Sequence, residues 1–349
     1  EITFTGIKQP ILKSPVYYDF NAVYDYYYRG EGQKGHIVDV NPNISIPFNI
    51  SRYAKIIPQL SLRETFWDRD DDVQDGLSKT GTRSIYNFSM AMTSQISRIF
   101  DTNILNWNKV RHEIKPELTY SYTPNVSQTN LPDFAPIITP IVLPVTAPTT
   151  NAIMEQNAFS WGLTNTFIAK TNDAKGNSSY LEFLRVKLLQ TYDINEAKRS
   201  VEGVDERRPF SDMTVEVDFR PHSYLFFQAR NKYSVYDGWK VMNYDATISD
   251  RRGDSATVSY RYTMDSIEEF DVSLKAVITD KLNGTFISRR DLFNSRNVET
   301  ALGLVYYSQC WAVGFEVSTT DSLQPDSSMA TDTRFVFKFS LTGLAKFGL

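Results

Sequence analysis

The sequence predicts an all-β protein, an antiparallel transmembrane β-barrel with about 15–16 strands present. Three observations carry this. Apolar residues recur with a period of two along most of the chain rather than with the helical 3.6. The alternating runs are roughly 9 to 15 residues long, about twice a soluble strand and enough to cross a bilayer at the usual tilt. The chain also carries 22 Phe, 20 Tyr and 5 Trp in 349 residues, the excess of aromatics that interfacial girdles need.

The elements follow in order. Tyr18, Phe20, Ala22, Tyr24, Tyr26 and Tyr28 alternate with Asp19, Asn21, Asp25 and Arg29, giving one apolar and one wet face. Ile44, Ile46, Phe48 and Ile50 repeat the pattern, as do Tyr86, Phe88, Met90 and Met92. The clearest run sets Val110, His112, Ile114, Pro116, Leu118, Tyr120 and Tyr122 against Lys109, Arg111, Glu113, Lys115, Glu117, Thr119 and Ser121. Further strands carry Phe159/Trp161/Leu163, Leu184/Val186/Leu188, Met213/Val215/Val217/Phe219 and Met242/Tyr244/Ala246/Ile248. The last ones carry Ala256/Val258/Tyr260/Tyr262, Phe270/Val272/Leu274/Ala276/Ile278, Trp311/Val313/Phe315/Val317 and Phe335/Phe337/Phe339/Leu341. A soluble β-sandwich also alternates, but it has shorter strands and lacks fully charged wet faces.

Connections give an independent test, because such barrels have short periplasmic turns and long external loops. Counting back from a periplasmic C-terminus, external connections are expected near 319–332, 293–297, 265–267, 235–240, 194–210, 123–156 and 68–83. Short turns are expected at 251–254, 281–284 and 220–222, each rich in turn formers. Between Val298 and Ser318 the apolar parity flips near 307–310 without Gly or Pro, which fits either a tight hairpin or a bulge. The first fifteen residues and the loop 123–156 are the least regular. That loop holds six prolines and an apolar stretch, Ile137 to Val145, and is expected to fold into the lumen or over its mouth.

Composition excludes other classes. The chain is 41% hydrophobic and 22% charged, with a mean hydropathy of −0.35, which fits neither a disordered chain nor a bundle of spanning helices. No apolar run reaches the roughly 18 residues of a spanning helix. The net charge of −4 argues against a nucleic-acid partner held through its phosphates. The chain begins at Glu1 without Met, so a processed product or a fragment is expected. One cysteine, Cys310, allows no internal disulfide.

Catalytic and metal chemistry finds little support. His36, His112 and His222 have no His, Cys or carboxylate partner at metal-ligand spacing. Asp68, Asp70, Asp71 and Asp72 form an acidic run, read as a solvated loop tip because the spacing is not that of a calcium loop. Nucleotide-binding and nucleophile-elbow motifs are absent, and Ser211 and Asp212 fall on opposite faces of a strand. No enzyme activity and no cofactor are expected. Lys109, Arg111, Glu113, Lys115, Glu117, Arg185, Lys187, Arg220 and Arg261 are expected to face the lumen. Such charges suit a hydrated wall of mutual ion pairs or a guide for an anionic amphiphile; the pattern alone does not separate a porin from a lipid conduit.

Several stretches resemble the outer-membrane lipopolysaccharide-assembly family (LptD, also called OstA or Imp). They are Pro116-Glu-Leu-Thr-Tyr-Ser-Tyr-Thr-Pro124 with Gln128 and Pro132, Gly162-Leu-Thr-Asn165, Leu184-Arg-Val-Lys-Leu-Leu-Gln-Thr-Tyr-Asp193, Phe210-Ser-Asp-Met213 and Tyr306-Tyr-Ser-Gln-Cys-Trp311. They span about residues 107–349 in matching order. Two positions depart from the family pattern. Adjacent cysteines before the Trp read Gln309 and Cys310 here, and an Asn-Arg-Phe element reads Asn157-Ala158-Phe159.

The resemblance implies a bacterial outer-membrane location and a larger barrel of about 26 strands. Residues 1–349 would be its C-terminal part, without the periplasmic jellyroll that precedes the barrel in the family. It implies transport of lipopolysaccharide into the outer leaflet through a lateral gate between first and last strands. The last strand would be about Thr333 to Gly343, with Phe335, Phe337, Phe339 and Leu341 along the gate. The implied partners are lipopolysaccharide, an LptE-like plug lipoprotein in the lumen, a periplasmic bridge protein reached through the absent N-terminal domain, and outer-membrane lipid. Cys310 would make an interdomain disulfide, or be a lone thiol. An unpaired strand edge is costly in lipid, so this chain is expected not to close on itself. A self-contained diffusion porin and a sheath barrel around another protein remain open alternatives.

Overall fold

Alternating sequences of this length satisfy their backbone N–H and C=O groups between strands, and the fold follows from that. The computed structural model describes the chain except residues 29, 31, 72–75, 77, 129–130, 133–152, 174, 202, 204, 324–328, 342–344 and 349, and except the side chains of 323 and 345–348. The described residues form twenty strands and one five-residue helix.

The strands are β1 (Ile2–Pro10), β2 (Tyr17–Tyr27), β3 (Gly35–Ser45), β4 (Phe48–Ser51), β5 (Ala54–Arg69), β6 (Thr80–Ser94), β7 (Ile96–Asp101), β8 (Lys109–Thr123), β9 (Gln156–Asn172) and β10 (Ser178–Asp193). The helix α1 (Ile194–Lys198) is followed by β11 (Met213–His222), β12 (Leu225–Ser234), β13 (Gly238–Ser249), β14 (Ser255–Thr263), β15 (Ile267–Thr279) and β16 (Leu282–Asp291). The chain ends with β17 (Arg296–Tyr307), β18 (Trp311–Leu323), β19 (Met329–Leu341) and β20 (Ala345–Gly348). Two compact units divide it: Glu1–Gln95 with Pro116–Trp161 and Thr191–Ser211, and Ile96–Lys115 with Gly162–Gln190 and Asp212–Leu349.

In the first unit β1 pairs with β2, β2 with β3, β3 with β5 and β5 with β6, all antiparallel. β3 and β4 both pair with β5, which carries Pro58. The Ile46 N–H donates to the Pro58 carbonyl at 3.1 Å where the chain passes from β3 to β4. Apolar side chains share one face: Leu60 stands opposite Phe88, Leu62 opposite Tyr86 and Phe4 opposite Ala22. Phe4 is 69% exposed. With Leu60, Leu62 and Phe66 also exposed on this face, the apolar surface is continuous, and a patch of that kind marks a non-aqueous neighbour.

The second unit is an unbroken antiparallel succession from β10 through β20. Its apolar face is equally open, with Phe335 68% and Phe337 58% exposed. Buried apolar side chains are few and mostly small, such as Ala229 and Ala301. The large apolar residues therefore share one exposed face and the polar residues the opposite one, unlike a soluble domain, which covers its apolar face.

Several sequence expectations change. Residues 2–10, expected to be irregular, form β1, because β2 offers it a full antiparallel partner from Tyr17 to Tyr24. The strand count is higher than about 15–16, since β3 and β4 share β5, β6 and β7 share β8, and β1 and β20 add a strand at each end. The connection expected at 319–332 shrinks to 324–328, because β18 and β19 stay in register from Thr319↔Thr333 to Leu323↔Met329. The parity flip at 307–310 is a tight hairpin, with the Ser308 N–H donating to the Trp311 carbonyl at 2.8 Å. The middle of the loop 123–156 lies outside the described residues.

Gly81 stands opposite Trp67 on β5, and a Cβ there would lie 2.2 Å from the indole. The ring fills the space a side chain would take, and Trp67 is 7% exposed. Gly81→Val is expected to unseat the indole at a cost of about 1–3 kcal/mol. Denaturant unfolding followed by tryptophan emission checks this; an unshifted midpoint and unshifted emission would contradict the seating.

Candidate functional site

Because strand side chains alternate, each hydrogen-bonded row on the polar side sets residues from neighbouring strands next to one another. In the second unit one row runs Arg185, Asp218, Gln228, Asp245, Ser259, Asp271, Arg289 and Glu299, and the next runs Lys187, Glu216, Arg230, Asn243, Arg261, Glu269 and Asp291. Opposite charges meet within and between the rows. Asp218 accepts from Arg185 at 2.9 Å and from Arg230 at 2.6 Å. Asp245 accepts from Arg261 at 2.7 Å and from the Ser259 hydroxyl at 2.7 Å. Arg289 meets Glu299 at 3.1 Å.

The guanidinium groups also cap strand carbonyls. Arg230 donates to the Val217 and Ala229 carbonyls at 3.1 and 2.8 Å, and Arg261 to those of Tyr244 and Tyr260 at 2.9 and 3.0 Å. A cavity of about 180 Å³ opens among Thr257, Ser259, Asp271, Ser273 and Arg289. The result is a polar wall of mutually paired charges.

The remaining expected lumen charges distribute unevenly. Lys109 pairs with Asp101 at 3.3 Å and Arg111 with Glu113 at 3.5 Å, both exposed. Lys187 faces Glu216 in register without an ion pair among the described residues. Arg220 lies over the Phe226 ring at 4.9 Å near the β11–β12 turn. Lys115 and Glu117 follow the same alternation on β8, with Glu117 in register with Thr93.

Sequence reasoning missed a tighter cluster on the polar side of the first unit. Arg83, 5% exposed, donates to the Thr65 hydroxyl at 2.9 Å and to the Gln128 side-chain oxygen at 2.8 Å. Gln128 in turn exchanges hydrogen bonds with the Ile153 backbone at 2.7 and 2.9 Å, and Pro132 is fully buried. Both described ends of the loop 123–156 are thus fixed to this face. Beside them Arg63 grips Asp39 at 2.6–2.9 Å, next to a cavity of about 230 Å³ lined by Asn41, Ser61, Arg63, Ile85, Asn87, Thr123 and Ile153. The polar parity of Arg63, Thr65 and Arg83 was readable; the contact of Arg83 with Gln128 was not.

In the acidic run Asp68 and Asp70 are exposed as expected of a loop tip, but Asp71 is not. Asp71 pairs with Arg69 at 2.6 Å, their side chains 4% and 3% exposed, and accepts from the Lys34 N–H at 2.8 Å. Asp70 lies 3.3 Å from His36, so one histidine does gain a carboxylate neighbour. Asp72 lies outside the described residues. His112 contacts Asn165 at 3.0 Å and stacks on Phe167 at 4.1 Å. Among the described residues no three His, Cys, Asp or Glu side chains gather as metal ligands.

Phe335, Phe337, Phe339 and Leu341 share the apolar face of β19, opposite Val317, Phe315, Val313 and Trp311. β19 is not the last strand: β20 folds back on its other side from Lys338 to Leu341. Cys310 is exposed in the β17–β18 turn.

At the α1 connection Arg199 grips Glu196 with two hydrogen bonds, at 2.7 and 3.0 Å, and also bonds Asp205. These Arg199 bonds hold both carboxyls below their ordinary range and raise the guanidinium. A depressed carboxylate contributes its stabilisation above the ordinary range, and loses it as pH falls through the depressed value. The Arg208 amide, bonded to Glu196 at 2.9 Å, is therefore expected to be protected near neutral pH and to lose that protection, relative to its intrinsic exchange rate at each pH, once the medium is acid enough to protonate Glu196. Amide hydrogen exchange across that range checks it.

Asp218→Ala is expected to cost about 1–2 kcal/mol, because it orphans two half-exposed arginines, and Glu299→Ala no more than about 1 kcal/mol. Urea unfolding in detergent micelles compares the two; equal costs would mean the shared carboxylate confers no special coupling.

Residues 1–287 match the family model "LptD: LPS transport system D", reaching well before residue 107, while the 306–311 stretch lies beyond the match. The "LPS-assembly protein LptD" of Hahella chejuensis is 22% identical over 323 residues, 88% of this chain and 38% of that protein. The Burkholderia ambifaria protein of the same name is 27% identical over 278 residues, covering 70% and 33%, and that of Burkholderia cenocepacia 24% over 362 residues, covering 94% and 43%. The chain spans about two fifths of the length of the curated relatives it matches. With a family match over most of its length and an antiparallel sheet whose apolar face is open, the chain belongs to the LptD family of outer-membrane β-barrels.

Proposed function

We propose that this chain forms the C-terminal part of a larger outer-membrane barrel that carries lipopolysaccharide into the outer leaflet. The observation that supports it most is the family match over residues 1–287, joined to a sheet with one apolar and one charge-compensated face. The paired Arg–Asp rows offer an anionic, sugar-bearing amphiphile alternating donors and acceptors, with little net charge to trap it. The acyl chains would leave along an edge at β19. β20 covers only Lys338–Leu341 of that strand, which leaves the Phe335–Phe337 stretch as the gate. A plug lipoprotein in the lumen, a periplasmic bridge protein and an interdomain disulfide at Cys310 belong to the same reading.

The test uses the full-length protein in proteoliposomes supplied with labelled lipopolysaccharide. Transfer into the vesicle membrane is expected, with passage of small sugars far below that of an open porin. Rapid sugar permeation without lipopolysaccharide transfer would overturn the proposal in favour of a diffusion porin. A covalent link between Phe335 and a strand on its open side, made by paired cysteines, is expected to stop transfer, and reduction to restore it.

A further inference from the structure

The apolar face is not equally tall on every strand of the second unit. β15 presents five successive apolar positions, Phe270, Val272, Leu274, Ala276 and Ile278. Its neighbour β16 presents three, Leu282, Gly284 and Phe286, and β17 three, Leu302, Leu304 and Tyr306. Two levels fewer amount to about 13 Å along a strand, or roughly 10 Å of thickness at a tilt of 35–45°.

What replaces the missing levels is a row of hydroxyls. Ser288 stands opposite Val272 on one side and Thr300 on the other; Thr300 stands opposite Thr319, and Thr319 opposite Thr333. The row lies directly beyond Phe286, Leu302, Val317 and Phe335, which are themselves in register. Further toward the loop end polar residues continue with Arg290, Asn297, Asp321 and Thr331, with Val298 in the β17 bulge and with Leu292, Phe293 and Met329 exposed only at the strand ends. Arg290 stands opposite Phe270. The Thr300 hydroxyl donates to Asn297 at 2.9 Å, the Asn297 N–H to Asp321 at 3.0 Å, and the Thr331 hydroxyl to Asp321 at 2.8 Å. Hydroxyls and charges in hydrocarbon are costly without polar neighbours. Lipid headgroups and their water are the neighbours that a membrane supplies at this level.

We propose that headgroups of the loop-end leaflet reach down the outer face of β16–β19 to the Ser288–Thr300–Thr319–Thr333 row, so that the bilayer is thinner there than beside β15. The inference rests on the reading of the apolar face as membrane-facing. It deepens the proposed function, since the shortened hydrocarbon barrier adjoins β19, where a lipid would be released. A polar headgroup leaving at that edge would meet hydroxyls and water before it met acyl chains.

The test places an environment-sensitive fluorescent amino acid at Ser288, Thr300, Val272 or Leu274 of the full-length protein in phosphatidylcholine vesicles. Iodide quenches from water and doxyl-labelled phosphatidylcholine from within the bilayer. Iodide quenching several-fold stronger at 288 and 300 than at 272 and 274 is expected, with doxyl quenching in the reverse order. Doxyl-dominated quenching at all four positions would overturn the thinning and leave the membrane reading standing. Iodide-dominated quenching at all four would overturn both. Ser288→Leu with Thr300→Leu, in protein that remains folded by heat-modifiability, is expected to shift a probe at Thr319 from iodide to doxyl quenching. An unmoved probe would mean that the hydroxyl row does not set the depth.

Discussion

Backbone hydrogen bonding between neighbouring strands is the constraint on which the rest of this structure depends. In a lipid environment an unpaired amide has no water to turn to, so the chain pairs strand with strand from β10 to β20 without interruption. Once that ladder is set, the pleat decides everything else: each residue goes to one face or the other, and a slip of one position would exchange them. Phe270 and Asp271 are neighbours in sequence and belong to opposite environments.

On the polar side the same ladder brings charges together that are far apart in the chain. Asp218 on β11 meets Arg185 on β10 and Arg230 on β12, and Asp245 on β13 meets Arg261 on β14. Each pair is partly exposed, so its individual worth is small. The consequence is collective: the wall is strongly polar, and most of its charges are balanced by a neighbour of opposite sign. In the first unit the balance differs. Arg83, Arg69 and Asp71 are almost fully buried, and they fasten chain segments rather than line an open surface.

Much of the architecture was legible because period-two alternation is a local property. The apolar faces of β2, β8, β11, β13 to β15, β18 and β19 follow the sequence reading, and so do most loop positions. Elements that depended on a partner were misread or left open. β1 has a weak pattern of its own and exists because β2 receives it. The turn at 308–310 has no Gly or Pro, so the sequence left a hairpin and a bulge both open, and the strands on either side fix it as a hairpin. In the acidic run the exposure of Asp68 and Asp70 follows the sequence reading, while Arg69 and the Lys34 amide draw Asp71 inward. For the site, alternation placed Arg185 and Arg261 on the polar side, while their carboxylate partners emerged only with register. The Arg83–Gln128–Ile153 connection joins segments seventy residues apart, and no spacing rule marks it.

By itself the sequence determined the fold class, the face on which each strand residue lies and the family, because alternation, strand length and motif order are written residue by residue along the chain. Only the tertiary structure decided which charges meet, which loop ends are fastened, where β19 gives way to β20, and how tall the apolar face is on each strand. Those properties depend on the register between strands, and register is set by the simultaneous fit of both partners, which neither strand's sequence specifies alone.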